Sequence, residues 1–238
     1  MKPYYQDDNC TIYNGDCREI LPSLDAVADL LISDPPYGVG YKGRSSQDRS
    51  IPNDTKLFPI DACILAAVRK LRRGRHLYVF EYDCPETMPI CGKTYLIWDK
   101  GIIGMGGPHC WSKSFERIFF GVYEISSANR AKGYGNRTAR LRRESVIAVQ
   151  RFHSAGIKDH PTEKPVELLR QLIESSSLFG EIVLDPFMGS GSTLVAAVME
   201  GRKAIGIELE EKYCEIAANR LMGIDHENRI TNKVGESK

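Results

Sequence analysis

The chain has 238 residues and a formal net charge of +1, with 32 Lys and Arg against 31 Asp and Glu. That length suits one large α/β domain, or such a domain with a small insertion, and the balanced charge excludes a uniformly basic coat for nucleic acid. No apolar run reaches the roughly 18 residues of a membrane-spanning helix, and Met1-Lys2-Pro3-Tyr4-Tyr5 lacks the apolar core of a secretory leader.

Apolar runs alternate with amphipathic helical patterns, which predicts a mostly parallel sheet with helices on both faces. In chain order, strands are predicted over 11–14, 29–33, 76–82, 94–98, 117–122, 145–149, 181–185 and 203–207. Helices are predicted over 60–72, 164–176, 192–200 and 210–221, the last with Tyr213, Ile216, Ala217 and Leu221 as its apolar stripe. Arg69, Lys70, Arg72, Arg73 and Arg75 are expected to close the first of these helices, where cations favour its dipole. Residues 40–56 are polar and long for a connection inside a compact domain, so they read as a lid or as plain disorder. Beyond Gly223 the tail is polar and expected to fray. The seven cysteines are scattered, with no Cys-x-x-Cys pair, and read as reduced thiols of a cytosolic protein. His109-Cys110 is too isolated to hold a metal, and no metal is expected.

Two short motifs carry the chemistry. Asp34-Pro35-Pro36-Tyr37 follows the apolar run Asp29-Leu30-Leu31-Ile32-Ser33. Asp185-Pro186-Phe187-Met188-Gly189-Ser190-Gly191-Ser192 follows Glu181-Ile182-Val183-Leu184. Both runs read as buried parallel strands, and the loops beyond them lie where open α/β sheets bind ligands. In the early loop, Asp34 and the carbonyl of Pro35 can accept the two hydrogens of an exocyclic amino group. The prolines stiffen the turn, and Tyr37 offers a face for stacking a base. Catalysis there would be orientation plus electrostatic stabilisation as the nitrogen gains positive charge. The plainer alternative is a strand-ending turn with a packed tyrosine.

In the late loop, Gly189 and Gly191 permit close backbone approach, and a helix starting near Ser192 aims its N–H groups at a ligand carboxylate. Glu208 ends the next strand, where an acidic side chain grips ribose hydroxyls in nucleotide-type folds. An adenosine-type ligand is expected, with S-adenosyl-L-methionine favoured by Asp-Pro-Phe-x-Gly-x-Gly. The alternative is a tight βα turn.

Together these motifs resemble the amino-methyltransferase family of DNA methyltransferases, which modify adenine N6 or cytosine N4. Their order, Asp34 loop first and Gly189 loop last, resembles its circularly permuted beta subgroup. Tyr13-Asn14-Gly15-Asp16-Cys17-Arg18-Glu19-Ile20-Leu21 resembles the family's opening strand, Ile97-Trp98-Asp99-Lys100 its Trp-x-Lys segment, and His160-Pro161-Thr162-Glu163-Lys164-Pro165 its His-Pro-x-x-Lys-Pro motif. The resemblance implies a Rossmann-like, seven-stranded methyltransferase sheet with the Asp34 and Asp185 strands adjacent at its centre. It implies Asp16 near the cofactor adenine and Lys164 toward the cofactor carboxylate. Asp185, Phe187, Gly189, Ser190, Gly191, Ser192 and Glu208 complete the implied cofactor site, with Asp34, Pro35, Pro36 and Tyr37 as the catalytic loop.

The domain so implied spans 1–222, with a small target-recognition segment over about 123–158 and the tail over 223–238. So small a recognition segment leaves open a short target, weak specificity or a second subunit. Arg130, Lys132, Arg137, Arg140, Arg142 and Arg143 fall inside it in a window with no acidic residue, which suits phosphate and base contacts. Lys42, Arg44 and Arg49 in the 40–56 stretch are further DNA-contact candidates, with a solvated loop as the alternative for both groups.

The expected activity is methylation of adenine N6 in double-stranded DNA, with the base flipped out of the duplex. Cytosine N4 is the alternative. Family members acting on cytosine more often carry Ser where this chain has Asp34. Protein glutamine methyltransferases share a Pro-Pro-Tyr loop but tend to have Asn in place of Asp and the unpermuted order. An inactive DNA-binding relative would not need intact site residues. The expected location is the cytoplasm of a bacterial or phage-infected cell, as monomer or homodimer.

Overall fold

In the computed structural model the described residues are 2–25, 27–36, 58–101, 114–124, 144–150 and 163–235, with side chains of the last helix described to residue 224. The strands are β1 (Tyr5–Gln6), β2 (Cys10–Asn14), β3 (Ala28–Ser33), β4 (Leu71–Phe80), β5 (Ile90–Asp99), β6 (Phe115–Tyr123), β7 (Val146–Ala148), β8 (Ile182–Asp185) and β9 (Lys203–Glu208). The helices are α1 (Cys17–Ser23), α2 (Ile60–Val68), α3 (Val166–Ser176), α4 (Ser192–Met199) and α5 (Glu211–Gly235). Among these residues no helix is long and apolar enough to cross a membrane.

All nine strands form one sheet in the order β1-β2-β9-β8-β3-β4-β6-β5-β7. From β2 to β4 every neighbouring pair is parallel. β6 runs antiparallel to both β4 and β5. The Asp34 and Asp185 strands are neighbours, as the resemblance implied, with Leu30 opposite Val183 and Leu31 opposite Leu184. Every residue of β3 is buried, as a central parallel strand covered on both faces requires. Leu30, Ile32 and Val183 face a core built with Leu168, Leu172, Leu194 and Ala217 of α3, α4 and α5. Leu31 and Leu184 face the opposite core, with Ile20 and Leu21 of α1 and Ile64 and Val68 of α2. The result is the expected three-layer, Rossmann-like α/β arrangement.

The sheet exceeds the seven expected strands because β1 and β7 add to its edges. α2 stops at Val68, not at 72, and β4 begins at Leu71. The basic run therefore does not serve the helix dipole as a whole. Arg72 and Arg75 lie on β4 and pair with Asp29 on β3, and Arg75 also reaches Glu181. Asp29 is 1% exposed and also accepts the Ile182 N–H. A carboxylate that deeply buried needs partners, and this need claims the arginines. α5 continues to Gly235, well past the predicted 221, through residues read as tail.

Candidate active site

The late loop joins β8 to α4. Asp185, the last residue of β8, is 3% exposed. One carboxylate oxygen accepts the Phe187 N–H at 3.0 Å, and the Thr193 side chain donates to it as well. Burial pushes its pKa up to about 7, and the nearby charges of Asp34 and Glu208 act in the same direction. Gly189 and Gly191 both have left-handed backbone, φ 50° and 81°. Gly191 caps α4, and a Cβ there would stand 2.6 Å from Cβ of Ala217 on α5. Glycine at this position therefore allows both the turn and the close seating of α5.

Polar side chains brace this loop. Glu208, at the end of β9, accepts the Gly189 N–H at 3.1 Å and the Glu210 N–H at 2.7 Å. Burial raises its pKa, and those two donors oppose the rise. Its carboxylate is thus turned toward the loop backbone. Ser192 donates to Glu163 at 2.8 Å. Arg220 pairs with the same Glu163 oxygen at 2.8 Å and donates to the Ser190 carbonyl at 2.8 Å. Glu163 and Arg220 escaped the sequence reading. Glu163 could have been found as an unassigned position of the His-Pro-x-x-Lys-Pro motif, and Arg220 had no local signal.

Asp16 shares this edge of the sheet. Asn14 pairs with Glu208 across β2 and β9, and Asp16 lies two residues further on. It caps α1 by accepting the Arg18 N–H at 2.8 Å, and hydrogen bonds from the Arg18 side chain hold its carboxyl below the usual range. The Arg18 guanidinium lies 5.5 Å from the ring of Phe58, which meets Phe187 edge-on at 6.1 Å. Phe58 was also missed, because it follows the polar stretch without any helix or strand pattern.

The early loop leaves β3 beside this one. Asp34 is partly buried, Pro35 buried and Pro36 partly buried. Lys164 donates from Nζ to Oδ2 of Asp34 at 2.6 Å. The same ammonium lies 3.4 Å from Oε2 of Glu116 on β6 and 4.8 Å from the ring centre of Phe80. Lys164, assigned from the resemblance to the cofactor carboxylate, is thus tied here to Asp34. Lys100, just past β5, donates to Oε1 of Glu116 at 3.2 Å and lies 5.8 Å from the Trp98 ring. Tyr37, Lys42, Arg44, Arg49, Arg130, Lys132, Arg137, Arg140, Arg142 and Arg143 lie outside the described residues, as do His109, Cys110 and His160.

A strand-ending carboxylate thus stands next to a glycine loop capped by a helix, on the ligand-binding edge of a Rossmann-like sheet. Comparison with known proteins agrees with that arrangement. A family model described as DNA methylase matches residues 97–219. YubD of Escherichia coli (strain K12) is 32% identical over 213 residues, covering 88% of this chain and 89% of YubD. The solved M1.HpyAVI-SAM complex aligns with a TM-score of 0.68 at 22% identity, over 89% of this chain and 98% of that one. The PvuII DNA methyltransferase, cytosine-N4-specific, also aligns with a TM-score of 0.68, at 17% identity over 92% of this chain and 88% of that one. The chain belongs to the N6-adenine/N4-cytosine DNA methylase family.

Proposed function

We propose that the protein transfers a methyl group from S-adenosylmethionine to N6 of adenine in double-stranded DNA. The observation that carries this reading is the Asp34-Pro35-Pro36 turn on the strand next to the Gly189–Gly191 loop. The residues of the late loop fit the cofactor. Gly189 and Gly191 set the left-handed turn that brings the loop to the strand ends, the leading N–H groups of α4 suit a carboxylate, and Glu208 and Asp16 lie along that edge with acceptors for hydroxyl and amino groups.

When bound, the cofactor supplies an electrophilic methyl group on a sulfonium. Transfer of that group would form an N–CH3 bond at the expense of the S–CH3 bond, with the thioether as leaving group and one proton shed by the nitrogen. Asp34 and the Pro35 carbonyl accept the amino hydrogens, which fixes the base plane and turns the nitrogen lone pair toward the methyl group. Lys164 holds Asp34 by its Oδ2, which orients the carboxylate. Asp34 is the nearest acceptor for the departing proton, which passes on to solvent. Tyr37 stacks on the flipped base. Arg130, Lys132, Arg137, Arg140, Arg142 and Arg143, with Lys42 and Arg44, contact the duplex. The order of the two loops along the chain supports the beta subgroup.

Cytosine N4 is the second reading, favoured by the likeness to the cytosine-N4-specific PvuII fold. A carboxylate only accepts hydrogen bonds and suits either amino group. The choice of adenine rests on Asp34 standing where cytosine enzymes more often have Ser. Digesting DNA from cells expressing the protein to nucleosides, with mass spectrometry, tests it. N6-methyladenine is expected, and N4-methylcytosine as the main product reverses the choice of base.

A further inference from the structure

Beside the reacting carboxylate, four charged side chains from four segments form a row. Lys100 follows β5, Glu116 lies on β6, Lys164 precedes α3 and Asp34 follows β3. The links are 3.2 Å from Lys100 to Glu116, 3.4 Å from Glu116 to Lys164 and 2.6 Å from Lys164 to Asp34. Lys100 and Lys164 are only 8% and 7% exposed. Signs alternate along the row, and its formal charges sum to zero. Burial alone would push the Glu116 carboxyl up, but the ammonium groups of Lys164 and Lys100 outweigh it and hold the group below the ordinary range. Glu116 is therefore an anion placed between two buried cations.

The position of Lys164 poses an electrostatic problem. As the methyl group moves, the amino nitrogen held by Asp34 gains positive charge. An unbalanced ammonium at hydrogen-bond distance from that same Asp34 would oppose this gain, and low-dielectric surroundings would strengthen the opposition. We propose that Glu116 is a positioning and charge-balancing residue for the methyl transfer. Its carboxylate holds Lys164 in place and cancels its charge, so that the ammonium orients Asp34 without raising the barrier. The inference rests on the proposed function.

The test is steady-state transfer of labelled methyl groups to genomic DNA from a methylation-deficient bacterium, with kcat and the KM for S-adenosylmethionine read separately. Glu116→Gln leaves the row at +1. It should lower kcat about 10- to 100-fold while KM stays within about twofold, because the charge acts on the transition state. Adding Lys100→Met returns the row to zero and should restore kcat to within about fivefold of wild type, a recovery that simple loss of a structural contact does not produce. Undiminished kcat in Glu116→Gln, a parallel rise in KM, or a double variant no better than the single one overturns the inference. If Glu116→Gln does not fold, Glu116→Asp and the double variant carry the test. Both keep the row neutral, and loss of turnover in either overturns it. A wild type that transfers no label removes the function reading and the inference together. A wild type that transfers label no faster than Glu116→Gln removes the inference alone.

Discussion

Asp34 and Lys164 lie 130 positions apart in the chain, yet Nζ of the lysine donates to Oδ2 of the aspartate at 2.6 Å. The contact joins the end of the central strand β3 to the segment leading into α3. It makes the conformation of the Asp34 carboxylate depend on both.

Asp34→Ala should abolish methyl transfer, with a fall of at least about 10² to 10³ in kcat as for other preorganised polar groups. Lys164 keeps Glu116 at 3.4 Å, so the fold should survive. Affinity for S-adenosylmethionine, measured by calorimetry, should stay within a few-fold. Near-normal turnover would remove Asp34 from the reaction. A folded variant without cofactor affinity would move Asp34 to the cofactor site.

Gly191→Ala should destabilise the protein for two separable reasons. The new Cβ would sit 2.6 Å from Ala217 Cβ, and φ of 81° is strained for alanine. Overpacking and left-handed strain each cost about 1–3 kcal/mol. Ala217→Gly relieves only the clash. In urea denaturation the two substitutions together should cost less than their sum by about 1 kcal/mol. Strict additivity would mean that α5 does not pack on the loop as described.

Asp185 should make stability depend on pH. Its carboxyl is raised from 3.8 to about 7, chiefly by burial, so the folded state holds this proton more tightly than the unfolded chain. The contribution is fully present below about pH 4 and is lost as pH rises through about 7, with an upper limit of about 4 kcal/mol. Asp185→Asn does not titrate. Its urea midpoint relative to wild type should therefore rise between pH 5 and pH 8, and a constant difference would refute the raised pKa.

Replacing Arg140, Arg142 and Arg143 with Gln should weaken duplex binding and flatten its salt dependence. Each lost phosphate contact lowers the log–log slope by about 0.9. An unchanged slope would make this window a solvated loop.

Much of the centre of the fold was legible because burial on both faces leaves a plain mark. Leu30-Leu31-Ile32 and Ile182-Val183-Leu184 admit few readings other than central strands, and Glu208 ends the strand after the Gly189–Gly191 loop, where nucleotide-type folds place an acidic side chain. Pairings between distant segments were not legible. Arg72 and Arg75 looked like the basic end of a helix because their partner, Asp29, belongs to another strand. Lys164 could be read as a cation for a ligand, while its contact with Asp34 depends on how β3 and α3 are set together. Glu116 is an unremarkable acidic residue in a strand until Lys100 and Lys164 are placed around it. The far half of α5 carries no sustained apolar stripe, so the pattern gives no sign that the helix continues past 221.

The pairing of β3 with β8 also has a consequence for synthesis. Residues 28–33 leave the ribosome long before 182–185, and until the latter arrive one edge of the fully buried strand β3 has no neighbour. An unpaired apolar edge invites association with other chains, and pairing across so long a separation is intrinsically slow. That seam is also the one that brings Asp34 beside the glycine loop. A nascent chain therefore assembles its candidate site and covers that open edge in the same event.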